Sequence, residues 1–302
     1  MAKGFNSRKI KAVCGNIAAV ILIIIGVILK FSSSDDVSSD SAVTKAKTSD
    51  TKTEVHFVDV GQGDATLVIN GEKTMLIDTG DTDTEDRLIA YMKEKGITRL
   101  DYLIITHPHA DHMGEAKDVL KNFPTQKIIM PKLPSDKTPT NFVYQKFLKE
   151  VNRQNLKITA AKDDSFSLGD CNIQTFTPKK NYENLNNYST IVKITDGKNK
   201  FLITGDCEKE EENDLLSQKF NLEADVLKAG HHGSYTSSSK KFLDKVSPGI
   251  SVISCGEDNK YGHPHKETVN RLKKISQVYI TKDDGSVIIT SDGIKLSVNT
   301  EK

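Results

Sequence analysis

Seven of the eight histidines in this chain fall in three short clusters, and the clusters come after segments typical of β-strands. Histidines scattered by chance would not group in this way. Loops that follow buried strands are places where a rigid scaffold presents functional groups. The chain is therefore expected to build a strand-based scaffold that carries these loops. The three clusters are His107, His109 and His112; His231 and His232; and His263 and His265.

The first cluster has the most specific pattern. Residues 106–112 read THPHADH, directly after the apolar segment LDYLIIT. His107 and His109 are two positions apart and can point the same way from an extended loop. Asp111 and His112 fall at the turn into the next helix and can face a second metal. Imidazole and carboxylate ligands suit zinc, manganese or iron rather than calcium, so this segment predicts a metal site.

Asp206 ends the strand-like segment FLITGD. An aspartate in this position can bridge two cations through its two oxygens, although a turn after Gly205 would also use it. Asp78 ends the segment LIDTG in the same way and is expected to orient a ligating histidine. Asp64, in GQGD, is either a turn residue or a further carboxylate of the site. His56 is expected to be an ordinary strand residue.

The two later histidine pairs leave alternatives open. His231 and His232 are adjacent and cannot both point at one metal from a regular strand. One of them is therefore expected to ligate, and the other to support the ligands or act in catalysis. The pattern YGHPH does not decide between His263 and His265.

Strand-like and helix-like segments alternate along residues 54–302. Runs such as EVHFVDV predict strands, and Asn70-Gly71 predicts a hairpin. The final segment, VYITKDDGSVIITSDGIKLSV, predicts a series of antiparallel strands. Strand-rich ends with helices between them predict an α/β (α+β) fold in which helices sandwich two sheets. Helices are predicted over Asp86–Lys95, Met113–Asn122, Asn141–Asn152, Glu208–Gln218, Ser238–Val246 and Glu267–Ile275.

The N-terminal part predicts a membrane anchor. Residues 12–29 carry no charge, and at about 1.5 Å per residue they span roughly the hydrocarbon thickness of a bilayer. The basic residues before them favour a cytoplasmic N-terminus. A cleaved signal peptide is the alternative. The expected organisation is a cytoplasmic segment at 1–11, a transmembrane signal anchor at 12–30, a disordered polar linker at 31–53 and the folded domain at 54–302.

Composition adds little about function. The net charge of +1 does not mark the chain as a nucleic-acid binder. The four cysteines lack the spacing of a disulfide framework or of a zinc pair, and three of them are expected to be small buried apolar residues. These three are Cys171, Cys207 and Cys255, while Cys14 falls in the predicted anchor.

Taken together, the motifs resemble those of a known family. HPHADH, the preceding LIDTG, the later FLITGD and the still later histidines are similar to the HxHxDH pattern of the metallo-β-lactamase superfamily. More narrowly, VDVGQGDATLV, VLKAGHHGS and KYGHPH look like the extracytoplasmic metallo-β-lactamase domain of ComEC-type DNA-internalisation (competence) proteins. The resemblance runs from about residue 54 to 297. It implies an αββα sandwich with a metal pair at the sheet edge.

The resemblance also implies a ligand set, with Asp206 bridging two ions. The additional histidine that the superfamily usually places before the bridging aspartate is missing, since residues 186–189 read NNYS. A histidine of each later pair would have to take its place. The implied ligands are His107, His109 and His231 or His232 for metal one, and Asp111, His112 and His263 or His265 for metal two, with His231 and His263 preferred.

The resemblance implies a hydrolase with two divalent ions, zinc or manganese. Metal binding lowers the pKa of water from ~15.7 towards ~7, so that the resulting hydroxide attacks phosphorus or a carbonyl carbon. Asp111 is expected to orient this nucleophile, and His232 to protonate the leaving group. Ser234 and His265, together with Asp64 and Asp78, are expected to contact substrate or support the ligands.

The resemblance favours DNA or another phosphodiester as the substrate. Hydrolysis of a cell-surface phosphoester, an acyl compound or a lactam is the second possibility, and a non-catalytic surface binding module is the third. Competence proteins of this type are large polytopic channels, so a chain with one predicted span is not expected to transport DNA. The sequence indicates no protein partner. Four lysines form either a cationic rim or a solvated face: Lys132, Lys137, Lys146 and Lys149.

Overall fold

Two β-sheets face each other in the computed structural model, which describes residues 51–82, 87–257 and 259–302. From edge to edge, the first sheet contains β15 (Leu296–Thr300), β14 (Val287–Ser291), β1 (Thr53–Phe57), β2 (Thr66–Asn70), β3 (Lys73–Ile77), β4 (Leu100–Ile104), β5 (Thr125–Met130) and β6 (Ile158–Ala160). The second contains β13 (Gln277–Ile280), β12 (Ile250–Ile253), β11 (Val226–Lys228), β10 (Asn199–Ile203), β9 (Ile191–Asp196), β8 (Cys171–Phe176) and β7 (Asp164–Leu168).

The helices are mostly short and connect the strands. In the described ranges they are α1 (Arg87–Glu94), α2 (Ala110–Met113), α3 (Ala116–Asn122), α4 (Phe142–Arg153), α5 (Lys209–Ser217), α6 (Lys240–Val246), α7 (Lys266–Leu272) and α8 (Thr281–Asp284). Three 3-10 turns cover Ser135–Lys137, Leu185–Tyr188 and His231–Gly233.

An apolar core lies between the sheets. Successive side chains of a strand point to opposite faces, so every second residue can enter this core. Met75 and Ile77 of β3 enter it from the first sheet, and Phe201 and Ile203 of β10 enter it from the second. Burial of such side chains removes apolar surface from water, which is the main favourable contribution to folding.

Helices cover the outer faces of both sheets. Leu202 of β10 points away from the central core and packs in a second buried cluster with Leu215 of α5 and Phe242 of α6. On the first sheet, Leu76 lies between two core residues and faces the opposite side, where it is also fully buried. Helices α1, α3 and α4 pack together and bury apolar faces of their own, including Phe147. The architecture is therefore a mixed α/β sandwich.

Parallel strands bring several chain segments to one edge of each sheet. In the first sheet β3, β4 and β5 run parallel, and in the second β10, β11 and β12 do so. In open α/β sheets, the loops outside the carboxyl ends of parallel strands form the ligand-binding crevice. The loops after β4, β10, β11 and β12 carry the histidine clusters and Asp206.

Most predicted elements are confirmed, and the main correction concerns the C-terminal segment. Residues predicted as one antiparallel series are divided between the two sheets: β13 pairs parallel with β12, whereas β14 and β15 form an antiparallel hairpin in the first sheet. The KDD part of this segment belongs to the helical turn α8, whose Asp284 Oδ2 accepts a hydrogen bond of 2.7 Å from the Ile280 amide. This helix carries the chain from one sheet to the other.

Two smaller differences have local causes. The helix predicted over Met113–Asn122 is divided into α2 and α3 around Gly114, where a Cβ atom would lie 2.3 Å from the backbone of Asp81. Strand β7 was not predicted, because its sequence DSFSL is short and has only two apolar residues. As expected, Cys171, Cys207 and Cys255 are small buried residues.

The predicted anchor, residues 12–30, lies outside the described residues, as does most of the predicted linker. Within 51–82, 87–257 and 259–302, no helix has the length and apolar character needed to cross a membrane.

Candidate metal centre

The loop after β4 is tied to the end of β3 by Asp78. One carboxylate oxygen accepts a 2.7 Å hydrogen bond from the Thr106 amide, and the other accepts from the Thr106 hydroxyl at 2.7 Å. The second oxygen also accepts a 2.8 Å bond from Nδ1 of His112. Asp78 thereby fixes the His112 ring and leaves its Nε2 atom facing Asp206.

Two groups of potential ligands share one residue. We call His107, His109 and Asp206 the histidine group, and Asp64, His112, Asp206 and His232 the mixed group. In each group the ligand atoms lie within 4.8 Å of one another. Every member is buried except His109, which is partly exposed. The geometry thus provides a His/Asp cluster suited to divalent metal.

Asp206 lies between the groups with one oxygen directed to each. Its Oδ1 is 3.1 Å from Nε2 of His112 and 3.5 Å from Nε2 of His232. Its Oδ2 is 3.7 Å from Nε2 of His107. Burial disfavours the charged carboxylate, but the neighbouring imidazoles, with His112 first among them, outweigh burial and hold the pKa of Asp206 well below its usual range.

The two halves of the cluster differ in electrostatics. Burial holds the pKa of His107 well below its usual value and also lowers that of His109, so these imidazoles are neutral and can donate a lone pair to a metal. Burial also opposes protonation of His232, but Asp206 and Asp64 outweigh it and raise the pKa of His232 to about 10. In the absence of a cation, the mixed group therefore favours a positive imidazolium.

Backbone conformation separates the roles of His231 and His232. Both residues have positive φ angles, 49° and 50°, and Gly233 follows at 77°. Left-handed backbone is uncommon outside glycine and is concentrated at functional sites. His232 points into the cluster, with Nδ1 3.0 Å from the Ser254 carbonyl oxygen. His231 is partly exposed, and its Nδ1 lies 3.0 Å from Oε1 of Glu208.

The two ligand groups contain His232 but not His231, whereas the sequence interpretation preferred His231 as the ligand. Asp111 lies beside the mixed group, with Oδ2 3.2 Å from Nε2 of His232. His263 is outside both groups. Its ring centroid is 5.3 Å from that of His231, and the Nδ1 atom of His265 accepts a hydrogen bond of 3.2 Å from the Tyr235 amide.

Lys228 is a buried charged residue beside the cluster that the sequence interpretation did not include. It is fully buried at the end of β11, and its ammonium group forms an ion pair with Asp64. Asp64 Oδ1 is 3.3 Å from Nδ1 of His232. Burial disfavours the Asp64 carboxylate, but Lys228 and His232 outweigh it and lower the pKa of Asp64. A lysine inside the apolar strand ADVLKAG was the available signal, because lysine is almost never fully buried unless it is paired.

Asn186 and Glu208 were also missed. Asn186 occupies the segment where the superfamily pattern has its additional histidine, and its Nδ2 lies 3.4 Å from both ring nitrogens of His231. Glu208 accepts a 2.7 Å hydrogen bond from Thr236 in addition to its contact with His231. Ser234, predicted to contact substrate, is buried, and its Oγ atom bonds to the same Thr236 hydroxyl. These residues fix the outer wall of the site.

The lysines considered for a cationic rim or a solvated face have different surroundings. Lys132 lines a cavity of about 440 Å³ together with Lys179 and Lys180. Lys137 instead donates a 2.8 Å hydrogen bond to Glu183, and Lys146 stands over the Phe142 ring. His56, as expected, is a strand residue of β1, and it contacts Tyr91 rather than the cluster.

Gly205 holds Asp206 in place, because it has φ +50° and a Cβ atom there would lie 2.7 Å from Thr106 Oγ1. We expect Gly205→Ala to lower the free energy of unfolding by about 2–5 kcal/mol, from left-handed strain and overpacking together. Gly96→Ala is the matched control, since φ is +72° but nothing lies within 4 Å of its added Cβ. Gly96→Ala should lower the free energy of unfolding only by the ~1–2 kcal/mol that left-handed backbone costs a residue with a side chain. Equal losses in urea unfolding would show that the contact with Thr106 is unimportant.

A family profile described as "Metallo-beta-lactamase superfamily" matches residues 58–257. Among curated proteins, the chain is 32% identical to ComE operon protein 3 of Bacillus subtilis (strain 168) over 78% of this chain and 32% of that protein. It is 32% identical to Recombination protein 2 of Haemophilus influenzae, covering 73% and 26% respectively. It is 29% identical to Competence protein ComA of Neisseria gonorrhoeae, covering 71% and 29%. The chain spans about a third or less of the length of these relatives.

Solved structures agree on the fold. The metallo-β-lactamase fold protein YhfI from Bacillus subtilis aligns with a TM-score of 0.51 at 16% identity, covering 80% of this chain and all of that one. A CmlA β-hydroxylase mutant aligns with a TM-score of 0.52 at 10% identity, covering 78% and 53%. At such identities the likeness concerns architecture alone.

Proposed function

Because the chain belongs to the metallo-β-lactamase superfamily, we propose that it is a membrane-anchored hydrolase that uses two divalent ions, zinc or manganese, to cleave DNA or a related phosphodiester outside the cytoplasm. The observation that carries this proposal is the sharing of Asp206 by the histidine group and the mixed group. A carboxylate placed between two sets of imidazoles suits a pair of cations. Imidazole and carboxylate donors fit zinc or manganese.

The proposed ligands follow the two groups. His107, His109 and Asp206 would hold one ion, and His112, His232 and Asp206 the other. Ser254 and Asp64 both contact Nδ1 of His232, which leaves Nε2 as its ligating atom. Partners of this kind fix the tautomer and the orientation of a ligating histidine.

Bound divalent ions act as Lewis acids and lower the pKa of a coordinated water. The chain's own residues then orient the reactants. Asp111 borders the mixed group and would align the attacking water. Glu208 accepts from Nδ1 of His231, so Nε2 of His231 faces the centre, 3.8 Å from Asp206 Oδ2. His231 is therefore the proposed donor of a proton to the leaving group.

DNA is the proposed substrate because the relatives include proteins named for recombination and competence. A pair of cations held by these ligands would also suit a phosphodiester, since a two-metal site can stabilise both the attacking and the leaving oxygen of a displacement at phosphorus. DNA transport is not part of the proposal, since the chain covers only 32% of ComE operon protein 3.

The test uses the full-length chain purified in detergent, with single- and double-stranded DNA, bis-p-nitrophenyl phosphate, p-nitrophenyl acetate and a chromogenic lactam. We expect phosphodiester cleavage with added Mn²⁺ or Zn²⁺, its loss with EDTA and its loss in His109→Ala. His56→Gln should remain active, because His56 is a buried histidine outside both groups. If only p-nitrophenyl acetate or the lactam is cleaved, the substrate is an acyl compound or a lactam and not a phosphodiester. No hydrolysis with any cation would favour a binding module.

The anchor has a separate test. We expect the full-length chain to remain with membranes after carbonate extraction, because residues 12–29 are uncharged and long enough to span a bilayer. Deletion of residues 1–30 should release it. In intact cells, external protease should degrade the domain of the full-length chain. Protection of the domain would reverse the proposed orientation, and release of the full-length chain by carbonate would contradict the anchor.

A further inference from the structure

Two exposed tyrosines stand at the outer end of the loops that build the metal centre. Tyr235 follows the His231–Gly233 turn and is 56% exposed, and Tyr261 precedes His263 and is 52% exposed. Exposure of a large aromatic ring to water is unfavourable, so two such rings on neighbouring loops call for an explanation. Both belong to the segments that carry the later histidine clusters.

A continuous series of aromatic rings connects these tyrosines to the centre. The Tyr261 ring stacks on His263 with centroids 5.6 Å apart and an interplanar angle of 22°. Tyr235 meets His265 edge to face at 4.9 Å, and His265 is 5.0 Å from His263. His263 in turn is 6.0 Å from His232 of the mixed group. The rings therefore lead from the ligands to solvent.

The two loops are fixed to each other, so the ring positions are set before a ligand arrives. A Cβ atom on Gly233 would lie 2.7 Å from Cβ of Pro264, which shows how closely the loops pack. The His265 amide donates a 3.1 Å hydrogen bond to the Gly233 carbonyl oxygen. The Thr268 hydroxyl donates a 2.9 Å bond to the Ser234 carbonyl oxygen. A fixed aromatic surface loses little conformational entropy on binding.

The charge around the rings is mixed. Lys260 places Nζ 5.1 Å from the centroid of Tyr261, and Lys266 is exposed beside His265. Glu257 and Glu267 are exposed in the same segment. These lysines can contact phosphates, but the acidic neighbours prevent a strongly positive surface. Affinity here should depend mainly on the flat faces of the rings.

We propose that Tyr235 and Tyr261 form a stacking platform for unpaired bases, so that the centre acts on single-stranded nucleic acid. This inference rests on the proposed phosphodiesterase function. Stacking on aromatic side chains is tolerant of sequence, because every base has a π-face. In a duplex these faces are covered by neighbouring bases. A strand held on the platform would run along the ring series and bring a phosphodiester to Asp206.

The experiment measures binding of fluorescent dT12 and of a 12-base-pair duplex to the full-length chain by anisotropy. All variants carry His109→Ala, so that binding is read without cleavage. Tyr235→Ala and Tyr261→Ala should each weaken dT12 binding by about 5- to 150-fold. Tyr235→Phe and Tyr261→Phe retain a ring and should retain most of the affinity. The duplex should bind more weakly than dT12, and its affinity should fall less in Tyr235→Ala and Tyr261→Ala.

Phe142→Ala is the matched control. Phe142 is 68% exposed with Lys146 Nζ 3.9 Å from its ring centroid, but it lines a different cavity with Thr82 and Glu115. It should leave dT12 binding unchanged. Unchanged binding in both tyrosine-to-alanine variants would overturn the platform, as would an equal loss for dT12 and duplex. Hydrolysis of bis-p-nitrophenyl phosphate by the wild type reports separately on the proposed function, so the two failures are distinguishable.

Discussion

Asp206→Ala is expected to abolish metal-dependent hydrolysis. Both oxygens of Asp206 face ligand groups, so the substitution removes a donor from each proposed ion at once. Replacing residues that merely support ligands typically costs about 10- to 100-fold in metal affinity or activity. Removal of a ligand that both proposed ions share should therefore lower the activity by more than ~100-fold. The measurement is kcat/KM for bis-p-nitrophenyl phosphate at saturating Mn²⁺.

Asp101→Asn is the control for this substitution. Asp101 is a buried carboxylate of β4, the strand that leads into the first histidine cluster, but it bonds to Lys73 and to the Thr74 amide. Asp101→Asn should retain most of the wild-type activity even if its free energy of unfolding is lower. Activity of Asp206→Ala within tenfold of the wild type would mean that Asp206 does not bridge metals.

Lys228→Met is expected to cause the largest loss of stability among the variants considered. Lys228 is 0% exposed and its partner Asp64 is 2% exposed. Removing one partner of a fully buried ion pair typically costs about 3–5 kcal/mol, and here it leaves the Asp64 carboxylate with the His232 ring, 3.3 Å away, as its nearest remaining cationic neighbour. Methionine keeps the length and volume of the side chain, so the loss reports mainly on charge. Urea unfolding with EDTA measures this in the absence of metal.

Two further variants separate charge pairing from general damage. Lys228→Met combined with Asp64→Asn should be more stable than Lys228→Met alone, because the second substitution removes the buried charge that has lost its lysine partner. Lys200→Met, in the neighbouring strand β10, removes an ion pair with the exposed Glu223, and should change the free energy of unfolding by less than about 0.5 kcal/mol. A loss below ~1 kcal/mol for Lys228→Met would contradict the importance of the pair.

The ligand-bearing loops could be predicted because their signals are local. A buried strand, a loop and a helix start follow each other within LDYLIITHPHADH, so the placement of His107 to His112 follows from one short segment. The αββα layering was implied by the family resemblance, and alternation of strands and helices indicated two sheets. The helix over Phe142–Arg153 was predicted almost to its ends, because Asn141 is a typical N-cap and accepts from the Tyr144 amide.

The remaining features depend on contacts between distant segments. Lys228 meets Asp64 only because β11 and the loop after β1 converge in the folded chain. The choice between His231 and His232 depends on left-handed φ angles at both residues, which a pair of adjacent histidines does not reveal. The move of β13 into the second sheet depends on parallel pairing with β12. Local sequence patterns carry no information about such pairings.

Elemental analysis of the purified full-length chain tests the central claim most directly. We predict about two divalent ions per wild-type chain, as expected for a bridged pair. A His107→Ala/His109→Ala variant should retain about one, since the mixed group contains neither residue. A wild-type chain that binds no divalent ion after incubation with Zn²⁺ or Mn²⁺ would contradict the proposed metal centre and with it the hydrolytic function.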